Sequence, residues 1–311
     1  MGSAPDRLLR RLEWQVIRRL DGQLQGAYRT VFRGAGIDFA DLREYTHEDD
    51  VRHIDWNVTA RLDEPYVRQY TEDRELTAWL VLDLSASMRF GGPTKSGPGM
   101  DGRGKDGVLT ELAVCLARLF TQGGNRVGAV LYDNGLQRVV PPRTGRTHVL
   151  RLAHEIGKAT EAAAALRGKP GGAATDVDGM LRLAAAQARR RGLIFVISDF
   201  ISGDTVNWED ALLRLTHRHE VVAIRIVDPM ELDLPDLGLV LVEDAETGEQ
   251  VLVDTSDPLF QQRLREEVDG REAAVAGAMR RSRVAAHRVS TGEDPLLALV
   301  EMVRWSKRRR A

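Results

Sequence analysis

The chain has 311 residues with a net charge of −2 at neutral pH, and 43% of its residues are hydrophobic while 29% are charged. These values describe a soluble globular protein of one large domain or two small ones, without a general attraction to nucleic acid or to an acidic membrane surface. The single cysteine, Cys115, excludes an internal disulfide framework, and the lack of an apolar run of about 18–20 residues excludes a membrane span. We expect a cytoplasmic protein in which Cys115 packs in the core.

Residues 1–75 are predicted to form an accessory segment in front of the main domain. The segment begins with an amphipathic helix over Asp6–Leu20, in which apolar residues recur every three or four positions among arginines. Such a helix either docks on the surface of the protein or lies on a membrane, and its mixture of acidic and basic residues favours docking.

A charged segment with a few aromatic residues follows this helix and includes the sequence DDVRHIDWNVTAR. Charge runs of this kind form solvated loops, or they form networks in which arginines pair with carboxylates. We favour a network that braces the main domain, with a tryptophan as its apolar anchor. Its predicted members are Asp50, Arg52, Asp55, Trp56 and Arg61.

The main domain is predicted to span residues 76–311 and to begin with a strand that ends at a polar cluster. The sequence AWLVLDLSASM is nearly continuous in apolar residues up to Asp83, as expected for a strand buried on both faces. Alternate side chains of an extended chain point the same way, so Asp83, Ser85 and Ser87 would converge beyond the carboxyl end of the strand. One carboxylate and two hydroxyls suit Mg²⁺, which takes oxygen ligands and keeps several waters. The alternative is a serine-rich turn in which Asp83 caps the next helix.

The next segment, residues 91–107, is rich in glycine and proline and is predicted to be a flexible loop above this polar cluster. It is either a lid or partner-contact loop, or an inert insertion. Its Lys105 does not indicate a nucleotide site, because Asp106 follows where a phosphate-binding loop needs Ser or Thr.

Helical and strand patterns alternate along the rest of the main domain. The Asn134-Gly135 pair predicts a type I′ turn into an antiparallel edge strand, and residues 231–255 predict a second hairpin that extends the fold. The predicted helices are Leu109–Gln122, His148–Leu166, Asp178–Arg191, Asp210–His219, Asp257–Arg281 and Asp294–Trp305, and the predicted strands include Arg126–Asp133, Leu193–Ser198, Val221–Val227 and Ala285–Val289. This alternation predicts an α/β protein with a doubly wound, mostly parallel sheet and helices on both faces.

Two later residues complete a recognisable order of polar side chains. Thr175 opens a helical pattern, and Asp199 follows the apolar strand LIFVIS. A DxSxS sequence, then a threonine at a helix start, then an aspartate after a strand resembles the metal-ion-dependent adhesion site of von Willebrand factor A domains. The resemblance implies a bound divalent cation, Mg²⁺ or alternatively Mn²⁺ or Ca²⁺, with Asp199 acting directly or through water. The implied ligands are Asp83, Ser85, Ser87, Thr175 and Asp199.

The sequence as a whole is similar to the bacterial family catalogued as domain of unknown function 58. The matching motifs are GxGxxF, RxY, DDxRxIDWxxxAR, YVR and LDxSxSM, and the similarity runs from about Leu12 to Trp305. It implies a von Willebrand factor A-like, Rossmann-type domain and a MoxR-type AAA+ ATPase as a partner. The chain departs from the family at Glu48, where glycine is common, by two extra residues before Thr175, and by a longer loop after Met88.

We therefore expect a metal-dependent adaptor rather than an enzyme. A cation held mainly by neutral hydroxyls would gain from one more carboxylate, so an acidic residue of a client protein could displace a metal-bound water. Asp176 and Phe200, which directly follow two of the implied ligands, are expected to contact a partner. The resemblance adds that the adaptor couples the ATPase to the assembly or activation of protein complexes. The alternatives are a metal-assisted phosphohydrolase, for which Ser85 stands in place of the expected second acid, and a structural scaffold with a non-functional metal site.

Overall fold

The structure, a computed structural model, describes residues 39–46, 51, 54–62, 64–70, 76–89, 104–165, 175–202, 206–243 and 250–310. The chain divides into two compact units, a smaller one spanning Phe32–Leu76 and a larger one that contains Thr77–Ala311. The predicted helix Asp6–Leu20, the predicted network members Asp50 and Arg52, and the glycine-rich loop up to residue 103 lie outside the described residues.

Helices and strands alternate along the described chain, and their ends differ from the predicted ones by a few residues. The helices are α1 (Trp56–Leu62), α2 (Lys105–Gln122), α3 (Arg146–Ala164), α4 (Val177–Gln187), α5 (Glu209–Arg218), α6 (Pro229–Leu232), α7 (Pro258–Arg281) and α8 (Pro295–Arg310). The strands are β1 (Phe39–Glu44), β2 (Tyr66–Tyr70), β3 (Thr77–Asp83), β4 (Arg126–Tyr132), β5 (Leu136–Arg143), β6 (Leu193–Ser198), β7 (Glu220–Val227), β8 (Leu239–Glu243), β9 (Gln250–Asp254) and β10 (Ala285–Ser290). None of the helices in the described part of the chain combines the length and the apolar character that crossing a bilayer requires.

The smaller unit pairs β1 and β2 in antiparallel orientation and adds the short helix α1. Asp55 is buried just before α1, where its backbone N–H donates to the carbonyl of Tyr66 at 2.8 Å and its carboxylate accepts from the N–H of Val58. Trp56 is 68% exposed, which corrects its predicted role as an apolar anchor, and Arg61 is exposed as well. Hydrogen bonds of Asp55, rather than burial of the tryptophan, hold this part of the segment together.

A six-stranded sheet forms the centre of the larger unit, with strand order β10-β7-β6-β3-β4-β5. Neighbouring strands are parallel except for β4 and β5, which run antiparallel at one edge. The α/β class with a mostly parallel sheet is therefore confirmed, and so is the antiparallel edge strand after Asn134-Gly135. Of these two turn residues, Asn134 alone adopts the left-handed region, with φ of 46°. The turn is therefore not the predicted type I′, which needs positive φ at both residues.

The strands are buried because helices cover both faces of the sheet. Every residue of β3 after the first is buried, which is why its sequence reads as an uninterrupted apolar run. Trp79 and Val81 pack in one cluster with residues of α4, α5 and α7, while Leu80 points to the opposite face. On that face Phe195, the partner of Leu80 in β6, meets the ring of Phe120 from α2 edge-on at 5.4 Å between centroids. Burying each such side chain contributes about 1.5–3 kcal/mol to stability.

Strand order and chain order together create a crevice at the carboxyl edge of the sheet, which here means the side on which the parallel strands end. From β3 the chain crosses through α2 to β4 on one side, and it later returns through α3 and α4 to β6 on the other side. The carboxyl ends of β3 and β6 therefore meet at a topological switch point, which is where ligands bind in open α/β sheets. Because α2 follows β3, and α4 precedes the parallel strand β6, both helices begin at this same edge.

β8 and β9 form the predicted second hairpin outside the central sheet. Leu241 and Leu252 face each other across it and are 61% and 64% exposed. Thr255 fixes the base of the hairpin, since its hydroxyl donates to the carbonyl of Gly238 and accepts from the N–H of Leu237, each at 2.8 Å. The hairpin is thus held at its base and carries apolar side chains in solvent.

Candidate functional site

The first of three loops at the carboxyl edge follows β3 and carries Asp83, Ser85 and Ser87. β3 ends at Asp83, and the chain then bends into a 3-10 turn over Ser87–Arg89. The hydroxyl oxygens of Ser85 and Ser87 lie 3.2 Å apart. Alternate residues of an extended strand are roughly 6.6 Å apart along the chain, so the bend of the loop, and not the predicted strand alternation, brings the two hydroxyls together.

Thr175, on the second loop, extends this pair into a row of three hydroxyls. It is buried just before α4, and its hydroxyl lies 3.4 Å from that of Ser87 although the two residues are 88 positions apart. Mg²⁺ holds its octahedral oxygen ligands at about 2.0–2.1 Å, so neighbouring ligands lie about 3 Å apart. The spacing of the row therefore fits neighbouring ligand positions around one such cation.

Asp83 supplies a buried carboxylate that is hydrogen-bonded to the backbone of Ser85 in this row. Its Oδ1 accepts from the N–H of Ser85 at 3.0 Å, and its Oδ2 accepts from the hydroxyl of Ser198 at 2.6 Å. Burial raises the pKa of Asp83 to about 6, and the charge of Asp199 acts in the same direction, while the hydrogen bonds from Ser198 and Ser85 oppose both. Two neighbouring carboxylates in a buried place are a strained arrangement that a cation would relieve.

Asp199 follows β6 directly, begins the third loop and is fully buried. Its Oδ1 accepts from the N–H of Ile201 at 3.1 Å, and its Oδ2 accepts from the ammonium of Lys105 at 2.9 Å. Its backbone carbonyl accepts from Arg225 Nε at 2.9 Å. The same guanidinium binds both carboxylate oxygens of Glu272 in α7. Each oxygen of Asp199 therefore has a protein donor that fixes its position.

Lys105 and Glu231 are site residues that sequence reasoning missed. Lys105 is the first residue of α2, and its fully buried ammonium binds Glu231 as well as Asp199. Burial alone acts to lower the pKa of Lys105, but the two carboxylates outweigh burial and hold the pKa above its ordinary value. Burial also raises the pKa of Glu231, with Lys105 acting in the opposite direction. The partners lie 94 and 126 positions from Lys105, so no local sequence pattern connects them.

Asp176 fixes the second loop and is exposed. Its carboxylate caps α4 by accepting from the N–H of Gly179 at 2.8 Å, and it also accepts from the hydroxyl of Tyr132 at 3.0 Å. Its backbone N–H donates to the side-chain oxygen of Asn134 at 3.1 Å. Asp176 therefore ties the neighbouring Thr175 to the end of β4, and the partner contact expected of Asp176 stays a prediction.

Phe200, the other residue predicted to contact a partner, is buried. Its side chain is 1% exposed, and its ring centroid lies 5.3 Å from that of Trp208. Its backbone has φ of 58°, a left-handed conformation that costs a bulky residue about 1–3 kcal/mol. The N–H of Phe200 donates to the hydroxyl of Ser198 at 2.9 Å, which helps to hold this turn. The expectation that its ring meets a partner is thus corrected, because the ring packs in the core and shapes the third loop.

Arg89 connects the first loop to the end of β4, and sequence reasoning also missed this role. Its guanidinium donates to the carbonyl of Leu84 at 3.1 Å and to the carboxylate of Asp133 at 2.8 Å. Burial raises the pKa of Asp133, while Arg89 acts in the opposite direction. The bend that brings Ser85 and Ser87 together is therefore braced by an ion pair.

The five predicted ligands thus lie at one edge of the sheet, in three loops that are each held by further hydrogen bonds. Among the described residues, no group of three or more His, Cys, Asp or Glu side chains could hold a metal ion. A cation at this edge would therefore depend on hydroxyl oxygens together with the carboxylates of Asp83 and Asp199. Such an all-oxygen donor set fits a hard divalent cation of the Mg²⁺ type.

Comparison with known proteins places the chain among uncharacterized relatives. The model of a family described as protein of unknown function DUF58 matches residues 41–274. An uncharacterized protein of Mycobacterium tuberculosis is 36% identical over 303 residues, which cover 97% of this chain and 90% of the relative. An uncharacterized protein of Mycobacterium avium is 39% identical over 109 residues, which cover 35% of this chain and 59% of that protein.

Two solved structures from Bacteroides species are also similar to this chain. The conserved hypothetical protein BatB from Bacteroides thetaiotaomicron is 12% identical with a TM-score of 0.43, and the match covers 75% of this chain and 99% of that one. An aerotolerance-related membrane protein from Bacteroides fragilis is 13% identical with a TM-score of 0.39, again over 75% and 99% of the two chains.

Proposed function

We propose that this chain, which belongs to the DUF58 family of proteins of unknown function, is a cation-dependent protein-binding adaptor of the von Willebrand factor A type. The observation that carries this proposal is the row of hydroxyls formed by Ser85, Ser87 and Thr175. Its spacing suits neighbouring ligands of one divalent cation, and it lies at the topological switch point of the sheet.

The coordination of the cation supports an acidic partner. The carboxylates of Asp83, Asp199 and Glu231 and the ammonium of Lys105 leave two net negative charges, which match the charge of a divalent cation. The hydroxyl ligands are neutral and add nothing to this balance. A carboxylate from a client protein could displace a metal-bound water and complete the coordination, so binding would depend on the cation.

The contacts of Asp83 favour binding over phosphoryl transfer. As a nucleophile, Asp83 would have to be accessible to the phosphorus atom of a substrate. In the structure it is fully buried, and both its oxygens accept hydrogen bonds, from Ser85 and from Ser198. These bonds fix the carboxylate next to Ser85, which suits a ligand of a cation site.

The family resemblance supports a MoxR-type AAA+ ATPase as the partner. In this arrangement the ATPase hydrolyses the nucleotide, and the adaptor presents an acidic client protein at the cation site. The adaptor itself then needs affinity and cation dependence, and it carries out no chemical step.

A pull-down tests this function with two matched serine variants. The immobilised wild-type chain, Ser87→Ala and Ser256→Ala are incubated with lysate of the source cell, with Mg²⁺ or with EDTA, and a captured AAA+ ATPase or its client protein is identified by mass spectrometry. Ser256 is the control because it is an exposed serine whose hydroxyl binds Asp254 at the end of β9. We expect capture by the wild type and by Ser256→Ala with Mg²⁺, and loss of capture with EDTA or in Ser87→Ala. Equal capture under all these conditions would contradict the proposal.

A further inference from the structure

Lys105 occupies a place that is unfavourable for a lysine. It is the first residue of α2, where the positive end of the helix dipole disfavours a cation, and the preceding Gly104 offers no side-chain cap. Its side chain is 0% exposed. Neither the helix nor solvation therefore explains a lysine here, whereas its two carboxylate partners, the buried Asp199 and the half-buried Glu231, do.

The two partners of Lys105 are themselves held rigidly. Glu231 belongs to a capping box with Asp228, whose Oδ2 accepts from the hydroxyl of Thr291 at 2.8 Å. Asp199 is fixed by Ile201 at its other oxygen. The ammonium thus lies between two carboxylates that cannot move far, and it donates to Oδ2 of Asp199 at 2.9 Å.

We propose that Lys105 is a built-in counter-cation that keeps Asp199 from coordinating the divalent cation directly and thereby limits the affinity of the site for that cation. This inference rests on the cation site of the proposed function. The ionic bond from Lys105 holds Oδ2 of Asp199 on the ammonium, and the N–H of Ile201 holds Oδ1, so in this proposal Asp199 acts on the cation through its charge and through water. The ammonium also repels the cation across a buried, weakly screened space. Lys105 is therefore a positioning residue that makes cation binding reversible.

The proposal predicts opposite effects for two substitutions in the same ion cluster. Lys105→Met removes the positive charge at nearly constant size and frees Oδ2 of Asp199, so Mg²⁺ should bind at least about tenfold more tightly. Glu231→Gln removes a negative charge and leaves the ammonium to Asp199, so Mg²⁺ should bind about threefold to tenfold more weakly. A role limited to fold stability would lower the affinity, or leave it unchanged, in both variants.

Isothermal titration with Mg²⁺ and with Mn²⁺, together with melting curves with and without cation, tests these effects. Without cation, Lys105→Met should melt at a lower temperature than the wild type, because Asp199 and Glu231 lose their counter-ion. Saturating Mg²⁺ should raise the melting temperature of Lys105→Met by more than that of the wild type. If Lys105→Met does not fold, the charge-balanced double variant Lys105→Met/Glu231→Gln takes its place and should bind more tightly than Glu231→Gln.

The outcomes separate this inference from the proposed function. If the wild type binds Mg²⁺ and folded Lys105→Met binds it no more tightly, the inference is overturned and the cation site stands. If Lys105→Met binds Mg²⁺ and the wild type does not, the inference is supported and the proposed function of the wild-type site is contradicted. If neither chain nor the double variant binds a divalent cation, both proposals are overturned.

Discussion

Gly179, in the first turn of α4, lets the side chains of Asp176 and Tyr132 approach the backbone of the helix closely. A Cβ atom at this position would overlap the carboxylate of Asp176 and would lie 2.7 Å from the hydroxyl oxygen of Tyr132. With hydrogen in place of a side chain, Asp176 accepts from the N–H of Gly179 and from Tyr132 together. The absence of a side chain at Gly179 thus permits the two bonds of Asp176, and these bonds help to position the neighbouring Thr175.

We predict that Gly179→Ala destabilises the protein by about 1–3 kcal/mol, because the added methyl group has to displace Asp176 or Tyr132. The matched control is Gly157→Ala in the interior of α3, where an added Cβ meets open space. This control should be neutral or should stabilise the protein by about 0.5–1 kcal/mol, since alanine is the better helix former. Urea unfolding of the two variants measures the difference, and equal effects would count against the packing described for Gly179.

Cys115 carries a second prediction at this scale. The residue is buried in α2, as its position in an amphipathic pattern predicted, and burial raises the pKa of its thiol well above the usual range. The native thiol should therefore react with Ellman's reagent at least about a hundredfold more slowly than the thiol of the chain unfolded in guanidinium chloride. Complete reaction of the native chain within minutes would contradict this burial.

The helices at the carboxyl edge begin in contrasting ways, and this contrast decides what each one contributes. α4 begins with the side-chain cap of Asp176, whereas α2 begins after Gly104 with a buried lysine. α7 begins elsewhere with a comparable cap, in which the carboxylate of Asp257 accepts from the N–H of Leu259 at 2.9 Å. The cap of α4 lies at the candidate site and the cap of α7 does not, so the two caps can be compared as a test variant and its control.

We predict that Asp176→Ala and Asp257→Ala each cost about 0.5–2 kcal/mol of stability, because each removes one N-cap. Only Asp176→Ala should also weaken Mg²⁺ binding, by about 10–100-fold, since it removes the side-chain bond to Tyr132 that helps to hold the neighbouring Thr175 at the end of β4. Thermal unfolding reports the first effect and isothermal titration the second. A similar loss of affinity in both variants would assign it to general destabilisation instead.

At the scale of the whole molecule, the features predicted from sequence are those that local patterns encode. The continuous apolar run of β3, the alternation of helices and strands, and the spacing of Asp83, Ser85 and Ser87 lie within short stretches of chain. They were enough for the mostly parallel α/β sheet and for the edge at which the predicted ligands meet.

Features that depend on residues far apart in the chain could not be read in this way. The ion cluster of Lys105 with Asp199 and Glu231 exists only once β6 and α6 lie beside the start of α2. Trp56, predicted to be an apolar anchor, is exposed, and Phe200, expected to contact a partner because it follows Asp199, is buried. The exposure of these two aromatic residues depends on their neighbours in the fold, which the adjacent sequence does not reveal.

The measurement that tests the central claim most directly is isothermal titration of Mg²⁺ into the wild-type chain, Ser87→Ala and the control Ser256→Ala. The hydroxyl row predicts one bound cation per chain in the wild type and in Ser256→Ala. In Ser87→Ala the affinity should fall by at least about tenfold, because the middle oxygen of the row is removed. Equal affinity in all three chains, or a folded wild type that binds none of Mg²⁺, Mn²⁺ and Ca²⁺, would contradict a cation site at this edge of the sheet.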